Sequence, residues 1–117
     1  MNKEDAKEVS IIYALSLLGK SVEGMFNSSL DFIVEILRAV GVLKEEKNYF
    51  LEDIKKEFDK VKSPIRGAIV FFQKENKERV GICLNESLFV EFCEEKKIIR
   101  IRPIYGQRID CIVYPFK

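Results

Sequence analysis

Apolar positions recur at helical intervals through the first half of the chain. Lys3 to Leu18 opens with acidic residues in its first turn and closes at Gly19, the pattern of a helix that complements its own dipole and stops on a glycine. After Asn27-Ser28-Ser29, all residue types that cap helix N-termini, Ile33, Ile36, Leu37 and Val40 fall at i, i+3, i+4 and i+7 and Gly41 follows. This predicts a second helix with Ser29 as its N-cap. Tyr49 to Val61 carries Leu51, Ile54 and Phe58 among lysines and acids and reads as a short amphipathic third helix, ended by Ser63-Pro64.

Beyond Pro64 the period changes. Ala68 to Phe72, Val80 to Leu84, Leu88 to Phe92, Ile98 to Ile101 and Ile109 to Tyr114 are short runs rich in β-branched and aromatic residues. Asn85-Glu86-Ser87 is turn chemistry and implies a hairpin, while Pro103 and Gly106 interrupt the chain before the last strand. Three helices followed by an antiparallel meander predict an α+β domain. The helices, at about 3–61, pack on one face of a five-stranded, mainly antiparallel sheet at about 66–115.

Composition narrows the chemistry. At 117 residues and 13.6 kDa, with 47% hydrophobic and 33% charged residues, the chain matches one globular core spanning 1–117. Twenty Lys plus Arg oppose nineteen Asp plus Glu, so the net charge of +1 generates no strong pull toward nucleic acid or acidic membranes. Histidine is absent. That removes Ser-His-Asp and Cys-His catalysis, His-ligated metals and the usual proton shuttle near neutral pH. The three cysteines, Cys83, Cys93 and Cys111, form no CxxC pair, which argues against a zinc knuckle and for a reducing, cytoplasmic setting. Val9 to Gly19 is too short an apolar run to span a bilayer, and the acids ahead of it are unlike the basic start of a secretory leader. No cofactor or metal site is expected.

Several strings, taken in order, resemble the NlpC-type cell-wall peptidases, a papain-like cysteine peptidase family related to the CHAP amidases. Ser28-Ser29-Leu30-Asp31-Phe32-Ile33 stands where that family has a motif close to Asp-Cys-Ser-Gly-Phe-Val. Val40-Gly41-Val42 matches its Ala-Gly-Ile, and Arg66-Gly67-Ala68-Ile69-Val70-Phe71-Phe72 its Pro-Gly-Asp-Leu-Val-Phe-Phe. Arg79-Val80-Gly81-Ile82 matches His-Val-Gly-Ile, and Phe89-Val90-Glu91 matches Phe-Ile-His. The resemblance thus places Ser29 at the nucleophile, Arg79 at the general base and Glu91 at the orienting residue, with Asp31 replacing the motif glycine. Every chemical position is altered. A serine needs an adjacent base, and a guanidinium with a pKa above about 12 accepts no proton at pH 7.

The resemblance therefore implies an NlpC/papain-like pseudoenzyme of bacterial cell-wall or bacteriophage context. Its cleft, built from Ser29, Asp31, Arg79 and Glu91, would hold a peptide, muropeptide or protein partner. A three-residue turn at 85–87 sets Gly81 opposite Glu91 and Val80 opposite Phe92, making Arg79 and Glu91 diagonal neighbours on one sheet face. An ion pair between them, capped by Asp31 or Ser29, is the expectation. Two alternatives remain: a hydrolase with altered or partner-completed chemistry, and a nucleic-acid binder using Lys96, Lys97, Arg100, Arg102, Tyr105 and Arg108. Against the latter, Arg100 and Arg102 alternate with Ile99 and Ile101 as on any half-solvated strand. Cys83 and Cys93 share the predicted face of Arg79 but lack a helix N-terminus or an imidazole to activate them, and read as packing thiols.

Overall fold

A computed structural model describes residues 1–74 and 77–117. Helix α1 spans Lys3–Ser16, α2 Ser29–Ala39 and α3 Leu51–Glu57; strands follow at β1 Asp59–Lys60, β2 Ile69–Lys74, β3 Lys77–Cys83, β4 Leu88–Cys93, β5 Ile98–Pro103 and β6 Ile109–Tyr114.

Each helix end has a local cause. The Asn2 side chain accepts the Asp5 N–H at 2.7 Å and starts α1. That helix stops at Ser16, short of the expected Leu18, because Leu18 leaves it to form a parallel bridge with Ile99. The N-cap of α2 is Ser28, whose Oγ accepts the Asp31 N–H at 3.0 Å, and Asp31 reaches back to the Asn27 N–H at 3.0 Å. Ser29, expected as the cap, is instead the first helical residue, which frees its hydroxyl for another contact. At the far end Val42 N–H bonds Leu37 O and Gly41 N–H bonds Arg38 O, with Gly41 at φ 75°, so the chain reverses through a glycine-dependent Schellman turn. The third helix is shorter than the sequence suggests: Phe58 is already extended, and Asp59–Lys60 pair with Val113 and Tyr114. This short edge strand makes the sheet six-stranded rather than five-stranded.

Sheet order is β1-β6-β2-β3-β4-β5, with every pairing antiparallel. Strands β2 to β5 form the expected meander, and β6 returns to the other side of β2. One face carries Ile69, Phe71, Val80, Ile82, Val90 and Phe92 against Ile11, Phe32, Ile33, Ile36, Leu37 and Ile54 of the helices, forming the main core. A second, smaller core lies on the opposite face, where Ala68, Val70, Phe72, Cys83, Phe89 and Ile112 of the sheet cluster with Ile104 from the segment after β5. Burial on both faces explains why Ala68 to Phe72 is an unbroken apolar run without alternation.

One polar network ties α3 to the sheet. Lys55 Nζ meets Asp110 at 2.7 Å, Glu78 at 2.8 Å and Glu52 at 3.3 Å, and sits 5.4 Å from the centre of the Phe71 ring. Burial acts to lower its pKa, but the bonds to the three carboxylates outweigh that, and the ammonium is held above the ordinary lysine value. Because the folded value is the higher one, this contribution is fully present through neutral pH and is lost only in strong base. Lys55→Met is expected to cost about 1–2 kcal/mol in urea unfolding at low salt, with a smaller deficit at 1 M NaCl. An equal deficit at both salt concentrations would assign the loss to packing instead.

Candidate functional site

Strands β3 and β4 pair at Cys83↔Phe89 and Ile82↔Val90, and the ladder ends there. Continued two steps, this register sets Gly81 opposite Glu91 and then Val80 opposite Phe92, as the three-residue turn predicts. Cys83 donates its N–H to Ala68 O on the β2 side, so alternation directs the Val80 N–H to the β4 side. No strand partner meets it there. Ser29 Oγ accepts it instead, at 3.3 Å. The first turn of α2 thus takes over a ladder position where β3 and β4 part, and Ser29 is only 3% exposed.

Arg79 lies on the sheet face away from the helices, opposite Phe72 of β2, with its guanidinium carbon 5.3 Å from the centre of that ring. Its Nε donates to Glu91 Oε1 at 3.0 Å and its Nη1 to Gln107 Oε1 at 3.2 Å. Glu91, 1% exposed, has its second oxygen bonded by Arg100 Nε at 2.9 Å and Nη2 at 2.9 Å. The residues form an Arg–Glu–Arg chain across three strands, supported from the 104–108 loop by Gln107. A cavity of about 90 Å³ is lined by Arg79, Glu91, Phe92, Cys93, Glu94, Glu95 and Arg100.

The expected ion pair between Arg79 and Glu91 is present, but the expected capping of it is not. Ser29 bonds the backbone of Val80, one residue from Arg79, and Asp31 bonds the loop before α2. Asp31 thus belongs to the helix start and not to the ionic chain. Arg100 and Gln107 complete that chain without having been assigned to it from sequence. For Arg100 a signal existed: the four-residue turn Glu94-Glu95-Lys96-Lys97 places residue 100 directly opposite residue 91. Reading the Arg100-Ile101-Arg102 alternation as a solvated strand overlooked that one arginine had a buried partner.

The arrangement has clear chemical limits. Ser29 Oγ receives a hydrogen bond from the Val80 amide, and the residue before Val80 carries a permanently protonated guanidinium. Both oxygens of Glu91 are engaged by guanidinium donors. Burial pushes the Cys83 thiol up to about 12, far from the thiolate a nucleophile requires. No helix among the described residues is long and apolar enough to cross a membrane.

A helix N-terminus set into an antiparallel sheet where two strands diverge is an arrangement whose overall fold is shared with a solved P60 domain. The chain superposes with a TM-score of 0.76 on the P60 domain of an antigen from M. avium subspecies paratuberculosis, at 16% identity and covering 98% of each chain. The likeness is one of fold. The sequence itself matches no family model and no curated protein.

Proposed function

We propose that this protein is a non-catalytic NlpC-like domain, a binding or assembly module related to the cell wall, whose former peptidase cleft holds a peptide, muropeptide or partner segment. One observation carries the reading: the Ser29 hydroxyl is engaged by the Val80 amide, and the neighbouring Arg79, at the position where hydrolysis would need a base, is a guanidinium locked onto a buried glutamate on the other sheet face. A papain-like site depends on a thiolate whose pKa is drawn below about 8.5 by a helix N-terminus and an imidazolium. Here the helix N-terminus remains while thiol and imidazole are both absent.

The test is incubation with peptidoglycan-derived peptides while new amines are measured. No turnover above buffer is expected, and Ser29→Ala is expected to change nothing. Turnover abolished by Ser29→Ala overturns the proposal. The double variant S29C/R79H supplies a positive probe of the cleft: a thiol at position 29 is expected to react with iodoacetamide at least ~10-fold faster at pH 7 than the same thiol in S29C alone. Equal rates would mean that positions 29 and 79 do not communicate, contrary to an ancestral catalytic geometry.

A further inference from the structure

The ionic chain is one acceptor short. Arg79 and Arg100 share the single carboxylate of Glu91, so the innermost charges sum to one uncompensated positive. Arg79 Nη2 is buried and bonds no acceptor among the described residues. Native proteins satisfy nearly all such donors, so each exception asks for an explanation. Arg100 commits Nε and Nη2 to the same oxygen, Glu91 Oε2, and borders the cavity with its side chain 26% exposed. Glu94 and Glu95 line the same space. Glu95 is exposed at its mouth, where solvent screens it, and Glu94 has an interaction of its own. A volume of about 90 Å³ holds roughly three waters, or one planar carboxylate.

We propose that this cavity is a carboxylate-binding site, in which a peptide lays its free carboxylate on the open edge of Arg100 with Arg79 supplying charge from behind. The inference rests on the cleft being a non-catalytic binding site, and names the chemical group it recognises. A planar carboxylate matches the guanidinium fork and adds a second anion to the Arg79–Glu91–Arg100 group. A phosphate dianion would bring twice the charge up to Glu94 and Glu95, which line the same space. Peptide chemistry is favoured by size, because a single carboxylate fills the cavity and leaves the rest of the chain to run outside it.

The test titrates N-acetyl-trialanine with a free C-terminus, the same peptide as its C-terminal amide, and the amide of N-acetyl-Ala-Asp-Ala. Arginine Nε resonances report binding. The free acid is expected to bind at least ~10-fold more tightly than the trialanine amide and to shift the Arg100 signal. Binding of the Asp peptide like the free acid assigns the site to carboxylates in general, and its failure to bind restricts the site to chain termini. Arg100→Gln is expected to abolish the difference between acid and amide, while Lys97→Gln leaves it intact. Should Arg100→Gln fail to fold, Arg100→Lys, which keeps the charge without the fork, is expected to reduce the preference several-fold.

Equal affinity for acid and amide, or tighter binding of inorganic phosphate than of acetate, overturns the carboxylate site. Cleavage of the peptides during titration overturns the non-catalytic reading instead, so the two failures are distinguishable.

Discussion

Glu91→Ala is expected to destabilise the protein by about 3–5 kcal/mol, because it leaves two arginines facing one another across an empty, mostly buried space. The carboxylate is 1% exposed and accepts from Arg79 on one oxygen and from Arg100 on the other. Its removal deletes both bonds and converts a near-balanced cluster into a repulsive one. For a domain of this size the midpoint of thermal unfolding should fall on the order of 10–20 °C. Glu91→Gln keeps the shape and one acceptor oxygen, and is expected to lose less. The triple variant R79M/E91L/R100M removes all three charges together and should recover most of the stability, since replacing a whole buried ionic group by apolar residues is often neutral. Urea unfolding of the three proteins checks this. A loss below about 1 kcal/mol for Glu91→Ala would show that the arginines relax freely into solvent. A stable triple variant also bears on why the charges are there: stability alone would not require them, and loss of the preference for a peptide acid over its amide would.

Gly81→Ala is the second large effect, expected at about 3 kcal/mol. A Cβ at this position would lie 2.5 Å from Phe89 Cδ2 and 2.7 Å from Val90 O. The ring can turn, but the carbonyl belongs to the backbone of β4, so relief requires moving the strand. Gly81 is not among the glycines with positive φ, so the obstacle is space and not backbone conformation. Phe89→Leu in the Gly81→Ala background should restore part of the loss by removing the ring contact and no more, because the carbonyl contact persists. Full rescue by Phe89→Leu would place the whole strain on the ring. The position also sits directly across from Glu91 by register, so a displaced β4 would carry Glu91 away from Arg79. Gly81→Ala is therefore expected to weaken carboxylate binding as well as stability.

Much of the helical half was legible because its signals are local. The spacing of Ile33, Ile36, Leu37 and Val40 marks the buried face of α2, and Gly41 ends it through the turn its φ requires. Errors arose where two neighbouring residues compete for one role. Ser28 and Ser29 are both able to cap, and the choice of Ser28 was made by β3, whose unpaired Val80 N–H takes the Ser29 hydroxyl. Similarly, Leu18 continues the apolar period of α1 but is drawn off by Ile99 of the edge strand. The end of α3 and the existence of β1 were decided by β6, which offers Asp59 and Lys60 a ladder.

The sequence by itself determined that this is an α+β domain with helices before strands, that it has no imidazole for papain-like chemistry, and that Arg79 and Glu91 share a face. Those properties follow from composition, period and turn length, each set within a few residues. Only the tertiary structure decided that Arg100 closes on Glu91, that Ser29 completes the end of a strand ladder, and that a second core covers the outer face of the sheet. The partner of a charged or hydroxyl side chain depends on which strands lie side by side and how far water is excluded between them. Both are properties of the assembled sheet, in which Ser29 and Val80, 51 residues apart in the chain, become neighbours.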